Sequence, residues 1–413
     1  MFTLREYMKN KSFFLFLFLL VFVSCKDNVD EIVFHKLDKY RWQYELPKLT
    51  NFVDLMPAVD SLGNIYIVQE RKGKSSILQL SNDGMKKGLF DEGGKIDARP
   101  VVKAGKLYYH TSNNKLYCRN IDDGSFSFQI ASLCNTKVFL LGENRLYFCS
   151  KGIDNSFLYA YSLSGILKWK KKLIDDGGGE LTVIQMSMAE NNIYIGAQRE
   201  NGDFVLQKFI LNGILPVTAW TWEAPVSYQG DMLKELAIDD MGSVYVGLNN
   251  GTTSKIFAIS PEGSTLWSVA TNKNNIENIT LDKAGNCYIA DSVCSRIKDG
   301  AIQWKSKGDH RLKYVSHKAS GPVILSDNSI SFIDENRILT NVSANDSINW
   351  NQFINAHIVS KDERFQKIFF NHNGEVLVST NKRLMAFDGG NIVFDEQIWP
   401  KLYYDMGNTA CRQ

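Results

Sequence analysis

From about residue 50 onward the chain alternates short apolar runs with turns, and one phrase of that alternation returns. An apolar strand, a tight turn holding Gly or Asn and a strand with Tyr near its start read Ala58-Val-Asp-Ser-Leu-Gly-Asn-Ile-Tyr66, then Ala237-Ile-Asp-Asp-Met-Gly-Ser-Val-Tyr245, then Thr280-Leu-Asp-Lys-Ala-Gly-Asn-Cys-Tyr288. Weaker copies centre on Tyr108, Tyr147, Tyr194, Ile324 and Leu377, at successive intervals of 42, 39, 47, 51, 43, 36 and 53 residues. A second phrase follows each first one: an alternating strand, a Gly turn, and a strand ending in Trp or Phe. Leu158-Tyr-Ala-Tyr-Ser-Leu-Ser-Gly-Ile-Leu-Lys-Trp169 and Ile256-Phe-Ala-Ile-Ser-Pro-Glu-Gly-Ser-Thr-Leu-Trp267 are examples, and others end at Phe90, Phe128, Trp222, Trp304, Trp350 and Phe394.

Period-two alternation bounded by turn residues predicts half-buried strands. Each period supplies four of them. Four strands every 40–50 residues is the pattern of a β-propeller, whose radial packing leaves only short edges. The fold class is therefore all-β, a single propeller. Eight four-stranded blades fit best, at roughly 52–92, 97–130, 136–172, 180–224, 233–270, 276–306, 310–352 and 365–398. Seven blades is the alternative, because the last intervals are uneven. Gly supplies the positive φ that tight hairpin turns require. The aromatic that closes each second phrase is expected to pack between neighbouring blades. Trp42, in Tyr40-Arg-Trp-Gln-Tyr44, reads either as an outer strand that closes the ring on the last blade or as a cap.

The Leu-Tyr-Ala…Gly…Trp phrase resembles the repeat of quinoprotein-dehydrogenase-like propellers, and the stretch from Asp282 to Asp291 also resembles an NHL-type repeat. The resemblance covers about 50–398 and implies blades; it says little of activity.

The N-terminus carries a different pattern. Arg5, Lys9 and Lys11 precede an unbroken apolar run from Phe13 to Val23, then Ser24 and Cys25. This is the layout of an export signal. The run is short of the ~20 apolar residues that span a bilayer. Val-Ser-Cys resembles a bacterial lipobox, which implies cleavage before Cys25 and lipidation of its thiol. Residues 1–24 then form the signal peptide, 25–36 the lipidated cysteine and tether, and 37–413 the propeller domain. Lys26-Asp27 and Asp30-Glu31 resemble the charged segment that follows the lipidated cysteine in surface lipoproteins of the Bacteroidetes group. The expected location is the outer membrane, lipid-anchored, with the periplasmic and cell-surface sides both open.

Removing 1–24 takes away three basic residues and one acidic residue, so 47 against 45 becomes 44 against 44 and the mature net charge is zero. That balance disfavours a nucleic-acid partner. Six cysteines follow Cys25. Cys287 and Cys294 sit on what reads as one short hairpin, equidistant from its turn, and export permits a disulfide between them. Cys118, Cys134, Cys149 and Cys411 show no readable pairing. No cysteine or histidine spacing matches a metal site, although His310, His317, His357 and His372 gather in the last two blades. Asp60-Ser61-Leu62, Asp291-Ser292-Val293 and Asp346-Ser347-Ile348 resemble O-glycosylation sites of Bacteroidetes envelope proteins.

In a propeller one face collects the second-to-third-strand connections, here 69–74, 149–157, 197–204 and 247–255, and those between blades, including 174–181, 224–235, 306–313 and 352–366. These are the longer, more polar segments, where function tends to sit. They carry Arg71, Arg199, Glu200, Tyr228, Gln229, Asn249, Asn250, Arg311 and His357. Arginine forks, amides and a ring suit a sugar or an acidic glycan. No nucleophile elbow, phosphate loop or metal motif is present, so no catalytic residue and no cofactor are expected. Quinoprotein dehydrogenases of similar fold use a quinone, calcium and a vicinal disulfide. This chain has no adjacent Cys-Cys pair and is short for that family, which argues against that activity. The reading is a non-catalytic binding or scaffolding lipoprotein, its partner an envelope protein complex or a glycan. It resembles the propeller lipoproteins that assist outer-membrane barrel assembly. The alternative is a glycan lyase or hydrolase with its site on the long-loop face, served by carboxylates such as Glu200, Asp203 and Asp231.

Overall fold

The structure is a computed structural model. It describes residues 41–413 apart from 92–93, 132–138, 152–155, 176–178, 213, 226–235, 250–252, 272–275, 277–278, 291–293, 306–319, 325–328, 334–337, 344–347, 354–362, 372, 389–410 and 413. Leu37–Gln413 forms one compact unit. Every regular element among the described residues is a β-strand, and the strands build eight antiparallel blades. Blade 5 shows the plan: Leu236–Ile238 innermost, then Val244–Asn249, Ser254–Ile259 and Thr265–Thr271 at the rim. Blades 1 to 8 span 50–91, 101–131, 139–173, 181–223, 236–271, 279–305, 320–353 and 365–388.

The core lies between blades. One apolar cluster joins blades 1 and 2 (Tyr66, Ile77 and Phe90 with Leu107 and Tyr109), another blades 2 and 3, and another blades 3 and 4. A fourth runs through blades 4, 5 and 6, and a fifth joins 6 and 7. The last contains Ile333 and Leu339 of blade 7, Phe369 and Leu377 of blade 8, and Ile65 and Leu78 of blade 1, which closes the circle.

Closure also uses the ladder. Trp42–Glu45 is the outer strand of blade 8, pairing antiparallel with Arg383–Asp388 in the register Trp42↔Ala386 to Glu45↔Arg383. The strand reading of Trp42 is the one realised, and the rim of blade 8 is supplied by the front of the chain. Phe394 lies outside the described residues. Near the other end, Cys411–Arg412 adds a parallel pair to the inner strand of blade 4.

Both repeat phrases have a physical basis. In the first, the Asp ties the turn. One Asp60 oxygen accepts the backbone N–H of Leu62 and Asn64; the other accepts the Tyr66 hydroxyl and the Asn64 amide. Asp239 and Asp282 repeat this with Tyr245 and Tyr288. An Asp that satisfies two turn N–H groups favours the turn over extended chain. In the second phrase, the outer strand bulges just before the aromatic, which then stands level with the Tyr of its own blade. Tyr147 meets Trp169, Tyr194 meets Trp220 and Tyr245 meets Trp267, with ring centroids 5.7–6.1 Å apart.

Three positions in the repeat shift from the sequence reading. Ile324 lies on the inner strand of blade 7. The residue level with the tyrosines is Ser331, opposite Asn341, which in turn faces Trp350. That regularises the last intervals to 43 and 46, counting 288 to 331 to 377. In blade 4 the aromatic in this row is Trp220, not Trp222, because Trp220 faces Lys208 across the ladder. In blade 1 the place falls to Gly88, opposite Gln79, and Phe90 lies two residues beyond it. There Gln79 donates to the Tyr66 hydroxyl at 3.0 Å.

Cys287 and Cys294 do not face each other. The three residues 291–293 separate Ala290 from Cys294, which are direct partners, while Cys287 pairs with Ile297. Side chains alternate along a strand, so Cys287 and Cys294 project from opposite faces of blade 6. They belong to different clusters, Cys287 with blade 5 and Cys294 with blade 7, and both are buried thiols rather than a disulfide.

Candidate functional site

The strand order sets two faces. Turns joining first to second and third to fourth strands lie on one, here the turn face. Second-to-third-strand hairpins and interblade connections lie on the other, the loop face. Arg71, Arg199, Glu200 and Asn249 all fall on the loop face, at or beside the ends of second strands. Tyr228, Gln229, Asn250, Asp231, Arg311 and His357 lie outside the described residues, as do His310, His317 and His372.

The described candidates do not converge. Arg71 belongs to blade 1 and Asn249 to blade 5, on opposite sides of an eight-blade ring. Arg71 pairs with Lys74 around a two-residue turn, so this connection is a tight hairpin rather than a loop. Its side chain is exposed, as is that of Glu200. Arg199 is already engaged. Its guanidinium pairs with Asp175 at 2.8 Å and with Glu223, leaving 20% of the side chain exposed. Its hydrogen bonds to Asp175 first and Glu223 second hold its proton more tightly than usual.

That pairing belongs to a pattern. Asp175 lies in the connection leading into blade 4, and Arg199 ends the second strand of that blade. In blade 2, Asp97 of the incoming connection meets the His110 ring nitrogen at 2.7 Å, and His110 is on the second strand. In blade 8, the incoming Glu363 accepts from Thr380 at 3.1 Å and from Arg383 at 3.0 Å, where the second strand turns into the third. Three times, a carboxylate arriving from the preceding blade is fastened to the outer end of its own blade's second strand. Asp97, His110, Asp175 and Glu363 were not candidates from the sequence. Their partners lie 13 to 24 residues away, with no fixed spacing to announce them. Buried carboxylates are tolerated when paired and hydrogen-bonded, and these groups hold the crossovers in place. No group of three or more potential metal ligands occurs among the described residues.

The turn face presents turn tips, several of them apolar. Asp60 anchors the first glycosylation-like triplet with both its oxygens, Ser61 is exposed, and Leu62 is 71% exposed. The other two triplets reach outside the described residues.

No protein-family model matches the chain, and no curated protein matches it in sequence. Solved structures do match. The crystal structure of BamB from Moraxella catarrhalis superposes with a TM-score of 0.53 at 12% identity, covering 84% of this chain and all of that one. The Dos1 propeller gives 0.59 at 12% identity, with 86% and 96% covered. Quinohemoprotein alcohol dehydrogenase from Comamonas testosteroni gives 0.61 at 11% identity, with 85% and 76% covered. At such identities the likeness is one of fold: this chain is an eight-bladed β-propeller.

Proposed function

We propose that the mature chain is an outer-membrane lipoprotein, anchored through Cys25, whose propeller binds or scaffolds an envelope partner without transforming it. The observation that carries this reading is the fate of the buried charged groups among the described residues of the loop face. Asp97, Asp175 and Glu363 fasten connections to strands, and Arg199 is drawn into the same device. General acid–base work needs a carboxylate or histidine positioned to reach a substrate; among the described residues these buried carboxylates are tied internally, while Arg71 and Glu200 stand exposed on hairpins, an arrangement suited to holding a partner. A protein complex fits this better than a glycan, because Arg71 and Asn249 stand too far round the ring to share one sugar.

Cross-linking in the native envelope, followed by peptide mass spectrometry, tests it. The expected result is a reproducible protein partner joined through the hairpins around Arg71, Glu200 and Asn249. Product released from an acidic glycan by the purified protein, and lost in a folded Asp97→Asn variant, would replace scaffold with enzyme.

A further inference from the structure

The strand that closes the ring fixes where the tether leaves. Trp42 faces Ala386 and Glu45 faces Arg383, so the chain comes into the propeller on the turn face and runs toward the loop face. Arg41, one residue earlier, pairs with Asp388 at 2.9 Å, where the third strand of blade 8 reaches the turn face. The same face carries bare apolar tips. Leu62 and Met85 of blade 1 are 71% and 64% exposed, Ile166 of blade 3 is 60%, Ile214 and Leu215 of blade 4 are 89% and 52%, and Met241 of blade 5 is 80%. On the loop face, by contrast, Leu49 and Ile174 are the exposed large apolar residues among those described.

The turns themselves do not demand these residues. The place held by Leu62 and Met241 is held by Ala284 in blade 6 and by Asn373 in blade 8, with the same backbone N–H bonded to the same turn anchor. Polar residues are the ordinary choice for exposed turns. Isolated exposed apolar side chains are unremarkable, but a series on one face of blades 1, 3, 4 and 5 marks a contact surface. Blades 3, 4 and 5 are stitched together beneath it: Lys171 reaches the Pro216 carbonyl, and Lys208 and Trp220 reach that of Pro261.

We infer that the turn face rests on the lipid bilayer, its apolar tips seated in the interface. The inference deepens the lipoprotein reading and rests on it. Fifteen residues, Lys26 to Tyr40, separate Cys25 from Arg41. Fully extended they reach ~50 Å, so an acylated Cys25 keeps the face from which the tether leaves within reach of the membrane. Exposed charges of both signs flank the tips, Asp83 and Lys86 beside Met85, Lys168 beside Ile166 and Asp240 beside Met241, so no one-signed patch accounts for attraction to headgroups, and apolar insertion is the main source. The loop face, with its projecting hairpins, then points away from the membrane toward the partner.

The test uses the full-length protein purified from its own membranes and reconstituted into phosphatidylethanolamine–phosphatidylglycerol vesicles that carry a diazirine acyl chain. Cross-linked peptides are mapped, and the mass of the N-terminal peptide is read in the same digest. Expected are an acylated Cys25 and lipid adducts on the turns at 83–86, 163–167, 214–217 and 239–242. Their yield should be insensitive to salt and several-fold lower in Ile166→Glu/Ile214→Glu, while adducts at the N-terminal peptide persist. Acylated Cys25 with adducts confined to that peptide, or on the loop face, overturns the inference and leaves the anchor standing. Cross-links at these turns to protein rather than lipid also overturn it. An unmodified Cys25 with no adducts removes the anchor and the inference together; an unmodified Cys25 with turn-face adducts sustains the docking without the anchor.

Discussion

The indole nitrogen of Trp42 donates to the Glu375 carboxylate at 3.3 Å, across 333 residues of chain. The same ring packs on Gly84, in the third-to-fourth-strand turn of blade 1, where a Cβ would collide with it. One side chain thus completes blade 8 and seals it to blade 1. Trp42→Ala should cost about 3 kcal/mol, the lower end for large aromatic truncations because the ring is only partly buried. Chemical denaturation of the variant against the parent measures it.

Gly263 repeats the arrangement at the boundary of blades 4 and 5, under Trp220, whose indole donates to the Pro261 carbonyl at 2.7 Å. Its φ is +92°, and an added Cβ would stand 2.8 Å from the ring. Gly285 has φ +75° with no atom within 4 Å of such a Cβ. Gly285→Ala should therefore cost only the left-handed backbone strain, ~1 kcal/mol. Gly263→Ala adds displacement of the indole and should reach ~3 kcal/mol. Equal midpoints in urea for the two variants would show that the indole does not use the space.

Burial first, and then Asp60, Asp239 or Asp282, raises the phenols of Tyr66, Tyr245 and Tyr288 well above their ordinary value; burial pushes Tyr194 up to about 12. Above pH 10 the unfolded chain releases these protons while the folded chain keeps them. The stability they contribute is complete below pH 10 and is lost as pH rises through the folded values. Each such tyrosine steepens the decline by ~1.4 kcal/mol per pH unit. Absorbance at alkaline pH should show a set of tyrosines that ionise only as the fold is lost; free titration of all of them in the native state contradicts this.

Arg199→Ala leaves Asp175, 9% exposed, without its cation. The loss should be roughly 2 kcal/mol, reduced from that of a fully buried pair because Arg199 is partly exposed. Arg199→Lys should recover only part of it, since a lysine cannot fork between Asp175 and Glu223. An unchanged denaturation midpoint for Arg199→Ala would return this residue to the list of available ligand groups.

Burial pushes the Cys287 thiol far up from its ordinary value. Native protein should resist iodoacetamide at Cys287 and Cys294, and protein unfolded without reductant should be alkylated at both. A peptide that stays linked until reductant is added would restore the disulfide expected from the sequence.

Much of this molecule was legible before any coordinates. The Asp-x-x-Gly-x-x-Tyr phrase is local: the Asp reaches its turn and its Tyr within six residues, so the sequence alone announced strands and turns and favoured eight blades over seven. The aromatic at the end of the second phrase was plain in several blades, because a propeller repeats its contacts from blade to blade, but blade 1 has Gly88 in that row. Register was not local. A single bulge decides whether Trp220 or Trp222 stands level with Tyr194, and the register Ala290↔Cys294 places Cys287 and Cys294 on opposite faces although the sequence had them equidistant from the hairpin's turn. The use of Arg199 was hidden for a related reason: an ion pair across a connection of arbitrary length leaves no spacing to read, so a residue that looked available for a ligand was already bound to Asp175. The closing of the ring by Trp42 could be suspected from one aromatic strand without a partner, but only the three-dimensional fold brings Trp42 beside Ala386, because the radial packing of blades alone juxtaposes the two ends of the repeat.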